Sequence, residues 1–212
     1  MVNIFFDFDG TLIDCRTRIY RLFSALLLPD KIEETKYWKA RLSGMRQKDI
    51  LKEFFQYSDK KCVRFNEKWL SLIEADEWLG FDTPREGASN LLRSLSNEHA
   101  LYIVTNRQSR KSLITQLSKF GWREYFKEFL VTEQKCTKLK LLSGRLDMSG
   151  ENFFIGDTCD DIDTAKALGM KSFAVRSGIE PWLNVLACGP FDSVEDLYNL
   201  FQRIEDAMKK FE

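Results

Sequence analysis

The stretch Val2-Asn3-Ile4-Phe5-Phe6-Asp7-Phe8-Asp9-Gly10-Thr11 decides how this chain is read. Residues 2–6 form an apolar run of strand length, too short for a helix. The run delivers two carboxylates, Asp7 and Asp9, to the end of an extended segment. Side chains two residues apart on an extended chain point the same way. Burying two like charges so close is costly unless a metal ion or a proton lies between them. Gly10 then lets the backbone turn sharply away from the strand and pass close to a ligand.

Apolar runs of the same kind recur at residues 101–104, 129–131, 153–155 and 172–175. Between them lie stretches of helical periodicity: Leu91, Leu92 and Leu95; Leu113, Ile114, Leu117 and Phe120; and Ile162, Ala165 and Leu168, which Gly169 closes as a C-cap. Strands alternating with helices predict an α/β fold, a Rossmann-like parallel sheet covered on both faces. In such sheets ligands bind beyond the carboxyl ends of the strands. One interval breaks the alternation. From Cys15 to about Asp82 no strand is evident, while Ile19, Leu22, Phe23, Leu26 and Leu27 keep helical spacing, continued by Trp38, Ile50, Leu51, Phe54, Phe55, Phe65, Trp69, Leu72 and Ile73. The expected organisation is an α/β unit of residues 1–14 and 83–212 carrying an all-helical insertion of residues 15–82, with Asp82-Thr83-Pro84 as the return hinge.

Composition narrows the function. The chain has 212 residues, 44% hydrophobic and 30% charged, which is ordinary for a globular protein and suits one domain or one domain with an insertion. With 11 Gly and 4 Pro there is little material for a long disordered tract. The 32 basic and 32 acidic residues leave no net field to attract a polyanion, so no nucleic-acid partner is expected. No apolar run is long enough to cross a membrane, and the opening run ends at Asp7, too early for a signal peptide. A cytoplasmic protein is expected. The five cysteines, Cys15, Cys62, Cys136, Cys159 and Cys188, are odd in number and form no CxxC, which predicts reduced thiols rather than a disulfide framework or a zinc site. The single histidine, His99, excludes the zinc centres that need two, and its setting before the run at 101–104 predicts an exposed loop residue.

A second acidic cluster follows the run at 153–155: Gly156-Asp157-Thr158-Cys159-Asp160-Asp161. Asp157 and Asp161 are spaced by one helical turn. If both clusters share a sheet edge, Asp7, Asp9 and Asp157 make an all-oxygen site suited to Mg²⁺. Thr105-Asn106-Arg107 ends the run at 101–104 and offers a hydroxyl and free N–H groups to an oxyanion such as phosphate. Lys135 or Lys138 supplies a cation.

These four pieces, in this order over nearly the whole chain, resemble the haloacid dehalogenase superfamily of phosphotransfer enzymes. The resemblance implies a Mg²⁺-dependent phosphatase that hydrolyses a small phosphorylated metabolite through an aspartyl-phosphate. Asp7 is the implied nucleophile, and Asp9 the implied acid and base whose backbone carbonyl also binds the metal. Asp7 and Asp157 ligate Mg²⁺, with Asp161 supporting them from behind. Thr105 and Asn106, with Gly10 and Thr11, hold the phosphoryl group, and a lysine neutralises it. Many relatives follow that lysine with proline, which this chain lacks. Lys138 is preferred because it opens the helical run at 139–142, and Lys135 stays open as the alternative.

An intact Asp9 favours phosphate esters over the dehalogenase and phosphonatase chemistries of the same superfamily. The helical insertion resembles the small cap of the subgroup containing phosphoglycolate phosphatase and β-phosphoglucomutase. Within it, Gly44-Met45-Arg46-Gln47-Lys48 resembles a loop that reaches the active site, so Arg46 either binds a substrate anion or lies on a solvated helix face. A phosphomutase using the same residues is an alternative, as is a non-catalytic binding protein that kept the fold. A monomer is expected, with a dimer as alternative. Residues 15–82 carry a net charge of +3 and the remainder −3, compatible with a mildly basic cap facing an acidic, metal-neutralised site.

Overall fold

In the computed structural model, which describes residues 1–144, 151–194 and 196–209, a six-stranded sheet forms the centre of the molecule. In chain order the strands are β1 (Asn3–Phe6), β2 (Ile13–Asp14), β3 (Thr83–Pro84), β4 (Ala100–Thr105), β5 (Phe126–Val131), β6 (Asn152–Gly156), β7 (Lys171–Val175) and β8 (Asp192–Val194). The main sheet runs β5-β4-β1-β6-β7-β8, and every neighbouring pair is parallel. The chain therefore builds outward from β1 in one direction through β4 and β5. It then returns to the other side of β1 and builds through β6, β7 and β8. This reversal opens a crevice beyond the carboxyl ends of β1 and β6, where ligands bind in open parallel sheets.

The side chains of β1 alternate between two cores, as the pleat demands. Ile4 and Phe6 face one side, packed with Leu91, Leu92 and Leu95 of α6 (Ala88–Glu98), Leu113 and Leu117 of α7 (Arg110–Lys119), and Leu200 and Ile204 of α11 (Leu200–Lys209). Phe5 faces the other, with Val104, Phe154, Leu142 of α8 (Lys138–Leu142) and Ala165 of α9 (Cys159–Ala167). A short helix, α10 (Trp182–Ala187), joins β7 to β8. Both faces of β1 are covered, so Ile4, Phe5 and Phe6 are apolar in succession rather than alternating with polar residues.

Residues between β2 and β3 form five helices, α1 (Arg16–Leu27), α2 (Glu34–Leu42), α3 (Gln47–Phe55), α4 (Asp59–Leu72) and α5 (Asp76–Leu79). They enclose an apolar cluster of their own, with Phe23, Leu27, Tyr37, Ile50, Leu51 and Phe65 buried. The outgoing and returning segments lie side by side, because β2 and β3 pair antiparallel through Ile13 with Pro84 and Asp14 with Thr83. Asp82, expected within a hinge, is buried and ion-paired.

Two strands differ from the expected extents. β5 begins at Phe126, three residues before the run at 129–131, because Lys127 and Glu128 sit on an edge strand that tolerates polar side chains. β8, the opposite edge, carries no apolar run at all, since Asp192 and Ser193 are exposed and Val194 alone is buried. The last three residues of the expected α/β unit, 210–212, lie outside the described residues. Among the described residues no helix is long and apolar enough to cross a membrane.

Candidate active site

Asp7 follows β1 directly, and its N–H donates to the carbonyl of Ile155 in β6 at 2.8 Å, so the backbone ladder places it beside the end of β6. Asp157 follows β6. The carboxylates of Asp7, Asp157 and Asp161 are all buried and offer oxygens within 4.8 Å of one another. Among the described residues one cation answers them: Lys138, the first residue of α8, whose Nζ lies 2.6 Å from Asp7 Oδ1 and 2.5 Å from Asp161 Oδ1. Its side chain is 2% exposed. Thr137 turns the chain inward at this point by capping α8, its hydroxyl accepting from the N–H of Lys140. Lys135 lies at the surface and pairs with Glu133 at 2.6 Å.

The remaining acceptors of the two β6-side carboxylates are held by local donors. Thr11 Oγ1 donates to Asp157 Oδ1 at 2.9 Å and the N–H of Ile179 donates to Asp157 Oδ2 at 2.8 Å. Asp161 closes a capping box at the start of α9, accepting from both the N–H and the hydroxyl of Thr158. Gly10, at φ +93°, and Gly178 are small by necessity, since a Cβ at either would collide with the Asp157 carboxylate.

Charge is under-compensated here. Burial pushes the Asp7 carboxyl well above its usual range, and Asp161 and Asp157 add to that push against Lys138. Burial and Asp161 push Asp157 up to about 6. Lys138 stays charged, because Asp161 and Asp7 outweigh the burial that opposes its ionisation.

Asp9 faces elsewhere. Its carboxylate is clamped by Arg107, at 2.6 Å from Nε and 2.9 Å from Nη2, and by Arg18 of α1. Burial alone would raise its carboxyl, but the two guanidiniums outweigh burial and hold it well below the usual carboxylate range. Both arginines also reach the buried Asp82, Arg18 Nε at 2.9 Å and Arg107 Nη2 at 3.4 Å. Arg107 stacks over the ring of Phe8 as well.

A cleft of about 280 Å³ joins these groups. The sheet side contributes Asp7, Asp9, Thr105, Asn106, Arg107 and Lys138, and the helical insertion contributes Arg18, Ile19, Trp69, Ile73 and Glu74. Glu74 fixes the two sides together, its carboxylate accepting from the N–H of Gln108 at 2.7 Å and of Ser109 at 2.9 Å at the start of α7.

Residues 4–175, most of the chain, match the model of the haloacid dehalogenase-like hydrolases. The chain belongs to this family. It is 24% identical over 226 residues to a phosphoglycolate phosphatase of Synechococcus elongatus, covering 99% of this chain and all of that one. Among solved structures, a Clostridium difficile protein named as a phosphatase superposes with a TM-score of 0.78 at 24% identity, covering 97% of each chain. A Bacillus subtilis protein of the same family, solved with magnesium bound, superposes with a TM-score of 0.68 at 19% identity, covering 96% of this chain and 98% of that one. The chain is thus an enzyme of the haloacid dehalogenase-like hydrolase family with that family's α/β fold.

Within this hydrolase the structure brings Asp7, Asp157, Asp161, Thr11 and Lys138 into one buried cluster and lines the cleft above with Thr105 and Asn106. Asn106 Nδ2 donates to Asp160 Oδ2 at 2.9 Å. Thr11, expected to hold phosphate, commits its hydroxyl to Asp157 instead. Arg46 is not brought to the cleft. It is exposed at the start of α3, where its N–H donates to Asp49, so its place is the solvated helix face. Of the insertion's fourteen basic residues only Arg18 lines the cleft, and it is consumed by Asp9 and Asp82.

Two expectations are corrected. Cys159 and Cys188 form a disulfide, joining the first residue of α9 to the C-cap of α10. They stand 29 positions apart in the sequence, and only the fold brings their Cα atoms to 5.7 Å. Cys15, Cys62 and Cys136 are free. His99 is no exposed loop residue; its side chain is 6% exposed.

Arg18, Arg107 and Asp82 were absent from the sequence reading as site residues. The one available signal was Arg107, next to Thr105 and Asn106; nothing local marks a helix arginine or an aspartate 64 residues away as partners. Arg18→Met is expected to destabilise the fold by about 3 to 5 kcal/mol, because it leaves the buried Asp82 and the half-buried Asp9 with Arg107 alone. Urea denaturation measures this, and a loss under about 1 kcal/mol, the range of an exposed pair, would show the clamp to be dispensable.

Proposed function

We propose that this hydrolase is a Mg²⁺-dependent phosphatase that cleaves a small phosphorylated metabolite through an aspartyl-phosphate on Asp7, the helical insertion serving as its cap. The observation that carries the reading is Asp7 itself: a buried carboxylate at the cleft floor with an ammonium at 2.6 Å and two further carboxylates beside it. The donor set fits a hard divalent cation. Three carboxylates face one lysine, the ligand atoms are all oxygen, and Asp161 is already spent on Lys138 and Thr158. Asp7 and Asp157, with the backbone carbonyl of Asp9, would hold Mg²⁺. When bound, it supplies charge neutralisation for the phosphoryl group.

The chain's own residues account for the rest. Asp7 attacks phosphorus with the oxygen not committed to Lys138, and Lys138 offsets the negative charge that gathers on the transferring group. Thr105 and Asn106, on the cleft wall beside Asp7, hold phosphoryl oxygens. Asp9 donates a proton to the leaving oxygen and later accepts one from the attacking water. In its clamped form Asp9 is the anion, the form that accepts. Donation requires its carboxyl to leave at least one guanidinium, and Arg18 belongs to the insertion, so the position of the cap over the sheet bears on the acid step. A cleft of about 280 Å³ suits a substrate of a few carbon atoms.

The test is a panel of sugar phosphates, 2-phosphoglycolate and other small phosphomonoesters, with and without Mg²⁺. Release of inorganic phosphate that depends on Mg²⁺ and needs no bisphosphate activator is the expected result. Isomerisation of a sugar phosphate without phosphate release would make the chain a mutase, and inactivity across the panel would overturn the reading of a phosphatase for small phosphomonoesters.

A further inference from the structure

At the opposite end of β4 from the cleft, Glu98, His99 and Glu205 offer an imidazole nitrogen and two carboxylate oxygens within 4.8 Å of one another. Glu98 ends α6, His99 follows it, and Glu205 reaches in from α11. Among the described residues neither ring nitrogen of His99 has a hydrogen-bond partner, although the side chain is more than nine-tenths buried, and the buried Oε1 of Glu205 also lacks one. Leaving such groups unpaired away from water is costly. A native structure gives a reason for that cost.

The spacing indicates the reason. His99 Nε2 and Glu205 Oε1 stand 3.5 Å apart. A charge-assisted N–H···O bond closes to about 2.7 to 2.9 Å. Two ligand atoms each about 2.0 to 2.1 Å from a tetrahedral zinc ion stand roughly 3.4 Å apart. We infer that Glu98, His99 and Glu205 bind a divalent transition-metal ion of the zinc type, which staples the C-terminal helix α11 to the rim of the sheet. One imidazole and two carboxylates are ligands zinc accepts, with water in the fourth position, whereas the nitrogen ligand sets this site apart from the all-oxygen cluster at Asp7. Six residues of β4 at about 3.3 Å each separate the two sites by about 20 Å. The role is therefore structural, independent of the reaction at Asp7.

His99 is the chain's only histidine, so its imidazole proton resonance reports this site alone. Zn²⁺ titrated into the Mg²⁺-loaded protein is expected to move that resonance to saturation at micromolar concentration and to raise the thermal midpoint. Glu205→Gln keeps shape and is expected to weaken Zn²⁺ binding by about tenfold or more, with the metal-free midpoint unchanged. A resonance that millimolar Zn²⁺ leaves in place overturns the inference, whether or not the variant folds. So does a loss of affinity in Glu205→Gln smaller than that.

Discussion

Asp7→Asn is expected to lower turnover of a generic aryl phosphate by about ten-thousandfold or more while the fold persists. An amide has neither the charge nor the lone-pair basicity to displace an alkoxide from phosphorus. It is also the same size as the carboxylate it replaces, so the cleft keeps its shape. The substitution removes one negative charge from a buried cluster of three carboxylates that share a single lysine, which relieves like-charge repulsion. Thermal stability should accordingly be unchanged or slightly higher. Steady-state kinetics with saturating Mg²⁺, together with a melting curve, check both halves. A variant that keeps Mg²⁺-dependent turnover within tenfold of the parent removes Asp7 from the nucleophile's role.

Lys138→Ala has two expected effects because the ammonium serves both folding and reaction. In the resting protein it is the one cation touching Asp7 and Asp161 among the described residues. Its loss leaves two buried carboxylates uncompensated, at a cost of about 3 to 5 kcal/mol in urea denaturation. During turnover a carboxylate approaching a phosphoryl oxygen at about 4 Å meets about 4 kcal/mol of repulsion per charge pair at an effective dielectric near 20. Removing the charge that opposes it should lower kcat by about a thousandfold. Lys135→Ala provides the contrast, since an exposed pair with Glu133 is worth less than about 1 kcal/mol and its activity should match the parent. A greater loss of activity at position 135 than at 138 would reassign the lysine.

The contrast between these two lysines also measures what a linear sequence carries. Both stand after β5 in a segment of like composition, and the helical run at 139–142 favours Lys138 without reaching Asp7. What decides is that β1 lies between β4 and β6, so that α8, which precedes β6, starts directly under the end of β1. The same holds for Asp9. Its spacing from Asp7 predicts two carboxylates pointing one way, yet the chain leaves the strand after Phe6, and Asp9 turns to Arg18 and Arg107 while Asp7 meets Lys138. Alternation applies only while the backbone stays extended.

The sequence by itself determined the central strand with its paired aspartates, the succession of strands and helices, the helical insertion, and the second acidic cluster after β6. Each is written in periodicity or residue type within a dozen neighbouring positions, where backbone geometry is local. Only the tertiary structure decided the clamp of Arg18, Arg107 and Asp82, the burial of Lys138 and of the His99 side chain, the edge strand β8 and the Cys159–Cys188 bond. Those features join residues that only the folded chain makes neighbours, 64 positions apart for Arg18 and Asp82 and 131 for Lys138 and Asp7. A charge buried without its partner is too costly to survive folding, so the partner is fixed by the fold and left unmarked in the local sequence.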